Sequence, residues 1–556
     1  LPEYVADLQD LFDSHDTFAA YYAHAGPGVL HIRPLLNLKA ADGIETMEAI
    51  SEAVTDRVIE YGGSVSGEHG DGRARTKYNR KLYGEDLWQT FRELKTAFDP
   101  DWLLNPGNVC GDHDPSRGLR YDASYEFDAE FDPVLNWDND NGFQGMVELC
   151  HGCAGCTGHQ DTTGGVMCPT YRAADEEITS TRGRANMLRQ AMSGDLPADV
   201  FDEEFVSEVM DLCIGCKGCR NDCPSGVDMA KLKAEVGHEY HQREGLTLRD
   251  RLFANVETVL KLGSTFAPLS NWAMNLPGSG WIAEQTVGIA RDRTLPSFHR
   301  RTFRDRVDAR DGPEVTEAAA ERKALLLADP YTDYSHPDVG EAALDVLEAA
   351  GVHVQVPDDV TDSGRPAFSK SMLDHARETA EANVAALAPR VRDGWDVVAV
   401  EPSDAVMYQL DYLDLLSGTE VEAVAENVYG LCEYLDVHGL DDDIAFDAPP
   451  ESIAYHGHCQ QKATRKDHHA VGVLRRAGYE VDAIDSGCCG MAGSFGYEVE
   501  HRSMSAAIGS ILFEQLDDSS ATQPVAPGAS CRSQLEDYEE TQGEPPHPVE
   551  MLAAAL

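Results

Sequence analysis

The sequence predicts a multidomain chain that combines α/β and α+β units. Three observations carry that prediction. At 556 residues the chain is long enough for three or four domains. Its C-terminal part repeats a strand–helix–glycine–strand pattern, the mark of α/β construction. Its middle holds eight of the 14 cysteines in two tight runs set among helical rather than strand periodicity.

Residues 1–110 read as α+β. A strand-like segment at 28–32 precedes an amphipathic helix over 43–61, where Ile44, Met47, Ile50, Val54, Val58 and Ile59 recur at helical spacing. The loop from Gly62 to Arg73 is crowded with glycines that let backbone approach a ligand closely, and it frames Glu68 and His69. Upstream, His24 and His31 stand on either side of a turn into the strand. Two histidines and a carboxylate are a common N/O set for Zn²⁺ or Mn²⁺. The same residues also suit a polar strand edge followed by a long turn. Residues 111–145 are rich in Asp, Pro and Gly with little periodicity and read as a linker.

Within 146–245, Cys150, Cys153 and Cys156 precede Cys168-Pro169, and Cys213, Cys216 and Cys219 precede Cys223-Pro224. The second run is C-x2-C-x2-C-x3-C-P, the spacing of bacterial two-cluster ferredoxins, in which the fourth cysteine ligates the other cluster. The first run repeats the triplet and delays its Cys-Pro behind an eleven-residue loop. A cubane needs four thiolates converging on four irons. The x2 spacing points three of them at one centre, and the fourth arrives from elsewhere, with proline turning the chain away. That logic gives Cys150, Cys153, Cys156 and Cys223 to one [4Fe-4S] cluster, and Cys213, Cys216, Cys219 and Cys168 to the other. Zinc sites usually pair two C-x2-C knuckles, and one tight loop does not supply two good disulfides. The chain is therefore read as moving electrons.

Helices are expected at 179–192, 200–212 and 229–244. A helical connecting segment follows over 246–322, with Trp272, Trp281 and Phe298 as an aromatic stripe. Pro268, Pro277 and Gly278-Ser279-Gly280 interrupt it, so it does not span a bilayer. Such a stripe more often packs on its own neighbours than docks a membrane partner or a quinone.

The formal charge of -52 comes from 97 acidic and 45 basic residues spread along the chain. A solvated acidic surface of this kind suits the salt-saturated cytoplasm of a halophile, because at molar salt a Debye length of about 3 Å screens self-repulsion. The same charge argues against nucleic acid as a partner. Cysteines used as ligands imply a reducing, cytoplasmic compartment, with peripheral attachment to the cytoplasmic face of the membrane left open. The sequence has no run of about 18 apolar residues and no signal peptide. It begins at Leu1 inside what reads as a continuing domain, and is expected to be the C-terminal part of a longer protein.

The pieces His24-x6-His31, Gly67-Glu68-His69-Gly70-Asp71-Gly72-Arg73 and Phe98-Asp99-Pro100-Asp101-Trp102-Leu103-Leu104-Asn105-Pro106-Gly107 resemble the C-terminal cap domain of FAD-linked D-2-hydroxy-acid dehydrogenases. That family includes D-lactate, glycolate and D-2-hydroxyglutarate dehydrogenases. The resemblance implies a divalent metal, Zn or Mn, on His24, His31 and Glu68, and His69 as the base that removes the C2-hydroxyl proton. It also implies that Asn105 and Gly70 lie near the flavin. A metal would lower the hydroxyl pKa, a neutral imidazole would take the proton, and the C2 hydride would pass to FAD. Arg33 and Arg73 are candidates for the substrate carboxylate, which guanidinium binds bidentately; each equally suits a plain surface position. The family's FAD-binding domain, which precedes the cap, is not in this sequence, so FAD would be held mostly outside it.

The repeat occupies 323–430 and 431–556. The first copy shows a strand at 324–328, a helix ending at Gly351 and a strand at 352–356; the second shows a strand at 452–455, a helix ending at Gly478 and a strand at 479–484. On the second hang Cys459, the pair Cys488-Cys489-Gly490, and Cys531 in a turn Gly528-Ala529-Ser530-Cys531. This set resembles the cysteine-rich CCG domain of the iron–sulfur subunits of glycolate oxidase, anaerobic glycerol-3-phosphate dehydrogenase and heterodisulfide reductase. It implies a third iron–sulfur centre or a zinc, with His456 or His458 as an extra ligand. The usual last C-x-x-C is reduced here to Cys531-Arg532-Ser533-Gln534, and buried free cysteines are the plain alternative. In the first copy Pro330, Asp362-Ser363-Gly364 and Asp404 fall at the matching positions. Without thiolates it holds no cluster and is expected to pair with the second copy around a shared core.

In order, an α+β cap, a helical two-cluster ferredoxin domain and tandem α/β CCG domains resemble the fused flavin/iron–sulfur D-2-hydroxy-acid dehydrogenases. The resemblance implies oxidation of a D-2-hydroxy acid, of the D-lactate or D-2-hydroxyglutarate class, to the 2-oxo acid. Electrons would pass from FAD through two [4Fe-4S] clusters to a quinone or an electron-transfer protein. The alternative is an electron-transfer iron–sulfur subunit of the anaerobic glycerol-3-phosphate dehydrogenase or heterodisulfide reductase type. The cap motif argues against it.

Overall fold

The computed structural model describes the chain apart from residues 159–166, 197–198, 361, 443, 539–540 and 542. The described residues form two compact units, Leu1–Glu126 and Phe127–Leu556.

In the first unit an antiparallel hairpin, β1 (Ala19–His24) and β2 (Val29–Pro34), accompanies the helices Pro2–Ser14 and Ala41–Glu60. The period of two in a strand divides the hairpin into faces. Ala19, Tyr21, Leu30 and Ile32 pack against Leu8, Phe12 and Ile50, whereas Tyr22, His24, His31 and Arg33 belong to the opposite face. The core therefore holds the hairpin from beneath and leaves its histidine face free for chemistry. Two further helices, Gly72–Tyr83 and Glu85–Phe98, follow the glycine loop. The second of these buries none of its residues and leaves Leu87, Leu94 and Phe98 exposed.

The second unit begins inside the stretch read as a linker. Val134 and Leu135 donate their N–H groups to the Glu235 carboxylate at 3.0 and 2.7 Å, and Phe131 packs edge-on against Phe143. Buried Leu135 and the half-buried aromatics Phe127, Phe131 and Trp137 anchor this stretch, which sequence periodicity does not reveal. The expected helices at 179–192 and 229–244 form as Thr181–Met192 and Met229–Glu244, capped by the side chains of Ser180 and Asp228. The segment 200–212 is instead a short helix, Glu203–Phe205, that widens into a π-helical stretch, Val206–Met210, just before Cys213. Most of the eleven-residue loop before Cys168, residues 159–166, lies outside the described residues.

In the helical connecting segment Phe298 lies against Gly263, as packing on neighbours requires, but Trp272 and Trp281 remain 64% and 57% exposed. No helix among the described residues is long and apolar enough to cross a membrane.

The repeat forms two parallel sheets. β3 (Lys323–Leu327), β4 (His353–Gln355), β5 (Asp396–Ala399) and β6 (Val428–Gly430) lie in the order β4–β3–β5–β6. β7 (Ser452–Tyr455), β8 (Glu480–Ala483) and β9 (Gln523–Val525) lie in the order β8–β7–β9. The two copies pack against each other. Pro548–Ala554, at the C-terminus of the second copy, packs on Pro337–Ala349 of the first, while Leu431–Val437 packs on His468–Arg476 within the second. One apolar core accordingly runs through both, joining Leu326, Val346 and Val398 to Ile453, Val473 and Val525. In open parallel sheets ligands bind in the crevice outside the carboxyl ends of the strands, and the residues that follow β3, β5, β7 and β9 include the ones that matter below.

Candidate metal and iron–sulfur sites

The hairpin and the glycine loop bring four side chains of the cap together. Glu68 Oε1 lies 3.0 Å from His31 Nε2, 3.2 Å from His69 Nε2 and 3.5 Å from His24 Nε2. The pairing explains the first contact set: His31 sits opposite Tyr22, two residues from His24, so both imidazoles rise from one face and meet edge-on at 5.0 Å. Gly67 lets the loop lie against the hairpin, because a Cβ there would fall 2.8 Å from Val29 Cγ1. The ligand atoms of His24, His31 and Glu68 all lie within 4.8 Å of one another. Their donor types and partial exposure fit a divalent cation.

Arg33 follows His31 by two residues on the same strand face and is exposed. Arg73 is engaged elsewhere: its guanidinium donates to His113 Nε2 and, at 2.7 Å, to the carbonyl of Arg117. The loop after Pro106 captures it, which stands against a substrate role. Asn105 takes left-handed backbone at φ 45° and accepts from Asn108, in a loop where Leu103 and Leu104 are exposed. The Gly70 carbonyl accepts from Arg75 at 2.9 Å.

In the second unit the two cysteine triplets share one backbone conformation. Gly152 and Ala154 flank Cys153 at φ 78° and 65°; Gly215 and Lys217 flank Cys216 at φ 65° and 61°. Left-handed residues set into such a loop turn successive N–H groups toward a common centre and make an anion-binding concavity. Alanine and lysine adopt this region at a cost, and strain of that kind gathers at ligand sites. Cys150, Cys153, Cys156 and Cys223 line one cavity with Thr181 and Arg182. Cys168 Sγ accepts the Thr181 N–H at 3.0 Å, and Cys156 Sγ accepts the Arg182 N–H at 3.4 Å. Both donors lie in the first turn of Thr181–Met192. Met229, the first residue of Met229–Glu244, donates to Cys219 Sγ at 3.3 Å. Two helix N-termini thus face cysteine sulfurs and favour the thiolate. The contact with Cys168 holds the Cys156 thiol low, while that contact and burial push Cys168 up. Cys168 also feels Cys219, and Cys216, driven up by burial, feels Cys219 and Cys213. So many thiols in a dry space become ligands when metal removes their protons.

The third group sits at the ends of β7 and β9. Cys459 opens the helix Cys459–Ala463, and Cys531 lies in the first turn of Ala529–Leu535 rather than in a free turn, because Gly528 caps that helix. Contacts from Cys488 and Cys531 hold the Cys489 thiol well below its usual range; contact with Cys459 and then with Cys489 pushes Cys488 up, and contact with Cys489 together with burial pushes Cys531 up. His456 Nδ1 is bonded to Ser486 Oγ at 2.7 Å. Its buried Nε2 bonds no oxygen or nitrogen among the described residues, and the ring lies beside Cys489 and Cys531, with one donor atom of each residue within 4.8 Å of the others. A ring fixed through one nitrogen by a hydroxyl and set beside thiols suits a metal ligand. His458 differs: its Nδ1 accepts from Gln460 N at 3.3 Å and caps the helix. Cys216 of the ferredoxin loop belongs to the same apolar cluster as Cys459, Cys488, Cys489 and Cys531.

At the matching positions of the first copy a hydrogen bond replaces the thiols. Ser363 Oγ donates to Asp404 Oδ1 at 2.6 Å, and Gly364 repeats the left-handed turn of Gly490, at φ 80° against 93°. Burial, aided by Asp329, pushes the Asp404 carboxyl well up, and burial first of all raises Asp329 and Asp362 to about 6. Glu401, also raised by burial, accepts the Ala529 N–H of the second copy at 2.9 Å. Sequence reasoning places Asp362 and Asp404 at the matching positions but misses the acid group they form with Asp329 and Glu401, since carboxylates scattered through an acidic chain give no local signal.

Three family descriptions match the chain. Residues 1–109 match the FAD linked oxidases, C-terminal domain; residues 146–227 match the 4Fe-4S dicluster domain; residues 453–536 match the Cysteine-rich domain. The chain is 26% identical, over its full length, to the D-2-hydroxyglutarate dehydrogenase of Haemophilus influenzae, of which it covers 58%. It is 28% identical to the Escherichia coli enzyme of the same name over 99% of this chain and 57% of the relative. It thus spans a little over half the length of these curated relatives. A 70% portion is 22% identical to the glycolate oxidase iron-sulfur subunit of Escherichia coli, covering 90% of that protein.

Proposed function

We propose that this chain is the metal-binding and electron-carrying part of an FAD-linked D-2-hydroxy-acid dehydrogenase acting on D-2-hydroxyglutarate or a close analogue. The observation that carries the reading is the convergence of His24, His31, His69 and Glu68 in a chain that also holds two cluster loops of one backbone design. Similarity to D-2-hydroxyglutarate dehydrogenases along the whole chain supports it.

His24, His31 and Glu68 would hold the divalent cation, with Glu68 fixing the imidazole orientations. When bound, that cation acidifies the substrate's C2 hydroxyl and FAD accepts the C2 hydride. His69, beside Glu68 and largely exposed, takes the hydroxyl proton. Arg33, on the same strand face as His31, is the arginine available to bind the substrate carboxylate. Asn105 and Gly70 mark the edge that meets the flavin, where Leu103 and Leu104 stand uncovered.

Cys150, Cys153, Cys156 and Cys223 hold one [4Fe-4S] cluster; Cys168, Cys213, Cys216 and Cys219 hold the other. Cys459, Cys488, Cys489 and Cys531, joined by His456, hold a third centre, iron–sulfur or zinc. The clusters suit the chemistry because a flavin gathers two electrons and a cubane passes one. A pure electron-transfer protein would have no use for the cap histidines, so the similarity to the glycolate oxidase iron-sulfur subunit is read as shared wiring.

The test is His69→Ala in the complete enzyme. Flavin bleaching by D-2-hydroxyglutarate is expected to vanish while the EPR signals of dithionite-reduced clusters persist. Bleaching at the wild-type rate would remove His69 from its role.

A further inference from the structure

We infer that Lys217, buried inside the second cluster loop, makes the site held by that loop the one of higher reduction potential. The inference rests on the reading that the two loops hold [4Fe-4S] clusters, and deepens it by naming the residue that sets their order.

The two loops differ at one informative position. Cys153-Ala154-Gly155-Cys156 and Cys216-Lys217-Gly218-Cys219 each place a left-handed residue after the middle cysteine, Ala154 at φ 65° and Lys217 at φ 61°. Ala154 is exposed, whereas the Lys217 side chain is only 2% exposed. A long side chain in left-handed backbone is strained, and an ammonium is costly to take out of water. The loop design itself asks for neither, since alanine serves in the first loop.

The charge around Lys217 does not cancel. Lys217 Nζ bonds Asp411 Oδ1, and Arg365 Nη2 bonds Asp411 Oδ2. Two cations thus share one carboxylate, which is fully buried. Burial alone would raise that carboxyl, yet Arg365 and then Lys217 hold it below the usual carboxylate range, so it supplies one negative charge. The surplus positive charge rests on the Phe368 ring, whose centre lies 5.6 Å from Lys217 Nζ and 5.4 Å from Arg365 Cζ. Asp404, joined to Arg365 through Ser363, offsets nothing, because burial and Asp329 push its carboxyl well up. The neighbouring ions match one for one: Lys231 and Arg220 meet Asp414 and Asp228, and Lys233 meets Asp211. At the first loop Arg182 is matched by Glu177, and both reach water.

A surplus positive charge in a dry setting favours the more negative state of its neighbour, and reduction adds one negative charge. Lys217 stands between Cys216 and Cys219, one side chain's reach from the site they hold. A unit charge about 10 Å away, at an effective dielectric of about 20, shifts a one-electron equilibrium by roughly tenfold. An electron shared by the two sites therefore comes to rest at the second loop. One electron leaves the first cubane and enters the second, with no proton exchanged and no bond made or broken. Arg365 opens the helix Arg365–Ser369 and Asp411 ends the π-helical turn Met407–Asp411, both in the first copy of the repeat. The copy that has no thiols thus supplies the charged setting of a cluster loop.

The experiment is an anaerobic redox titration of the complete enzyme with dithionite and mediators, followed by EPR. The signal absent from Cys216→Ser identifies the cluster of the second loop, and in the wild type it is expected to appear at the higher potential. Lys217→Met keeps the length of the side chain and removes its charge. It should lower the potential of that signal by about tenfold in the reduction equilibrium, or ~59 mV for one electron, and leave the other signal in place. Arg365→Met leaves the loop itself intact and lets Asp411 cancel Lys217, so the same signal should move in the same direction. An ion pair that only pinned the loop would leave the potential where it was. A potential unchanged in Arg365→Met and in a Lys217→Met protein that retains the signal would overturn the inference alone, as would a wild type in which this signal has the lower potential. A wild type without [4Fe-4S] signals would overturn the underlying reading and this one with it.

Discussion

Gly490 gives the sharpest test of the third centre, with Gly364 as its internal control. Both take left-handed backbone, at φ 93° and 80°, one after the cysteine pair and the other after Asp362-Ser363. An alanine at either place costs about 1–2 kcal/mol for the conformation alone. Their surroundings differ. A Cβ at Gly364 meets Ala376 O at 3.3 Å, which small adjustment relieves, whereas a Cβ at Gly490 falls 2.4 Å from Ser505 O in the helix Arg502–Asp518. Relieving that overlap moves either the helix or the Cys488–Cys489 turn, adding about 1–3 kcal/mol of overpacking. Gly490→Ala is thus expected to lose roughly 2–5 kcal/mol in all and to displace two of the thiols. Gly364→Ala should lower the melting temperature by a few degrees and leave metal content intact. Thermal melts and metal analysis of anaerobically purified variants read both effects. A Gly490→Ala protein with wild-type metal and stability would refute the reasoning.

Three further outcomes follow from the same geometry. Asp362, raised to about 6, keeps a proton in the folded chain that the unfolded chain releases between about pH 4 and 6. Stability is therefore lost as pH rises through that window, by roughly 3 kcal/mol at most. Asp362→Asn keeps the oxygen that accepts from Gly364 N and should be more stable than wild type at pH 8 but equal near pH 4, as melts at the two pH values would show. Glu68→Gln should weaken cap metal binding by about tenfold or more, measured as Zn or Mn content after dialysis, with the cluster EPR unchanged. Cys223→Ser and Cys168→Ser should each remove a different one of two [4Fe-4S] EPR signals; loss of the same signal in both would break the crosswise ligand assignment.

What the sequence makes legible here is what is local. Two C-x2-C-x2-C triplets stand out because one loop carries three cysteines, and His24 and His31 find each other because a hairpin of short turn places them on one face. Strand and helix limits in the repeat are legible for the same reason: Gly351 and Gly478 end helices in positive-φ backbone. What escapes is decided by distant partners. Arg73 looks like a substrate ligand in Gly72-Arg73 until His113, forty residues on, captures it. Residues 127–137 look like linker until Glu235 accepts their N–H groups. The packing of Pro548–Ala554 on the first repeat copy, and the single apolar core that joins the two copies, depend on segments far apart in sequence and show no periodicity of their own.

The most direct measurement is an anaerobic mixing experiment on the complete enzyme with D-2-hydroxyglutarate, frozen at intervals for EPR and followed by absorbance. Bleaching of the flavin followed by the appearance of reduced [4Fe-4S] signals is the predicted result. A bleached flavin beside clusters that never reduce, or colourless protein that carries only zinc, would contradict it.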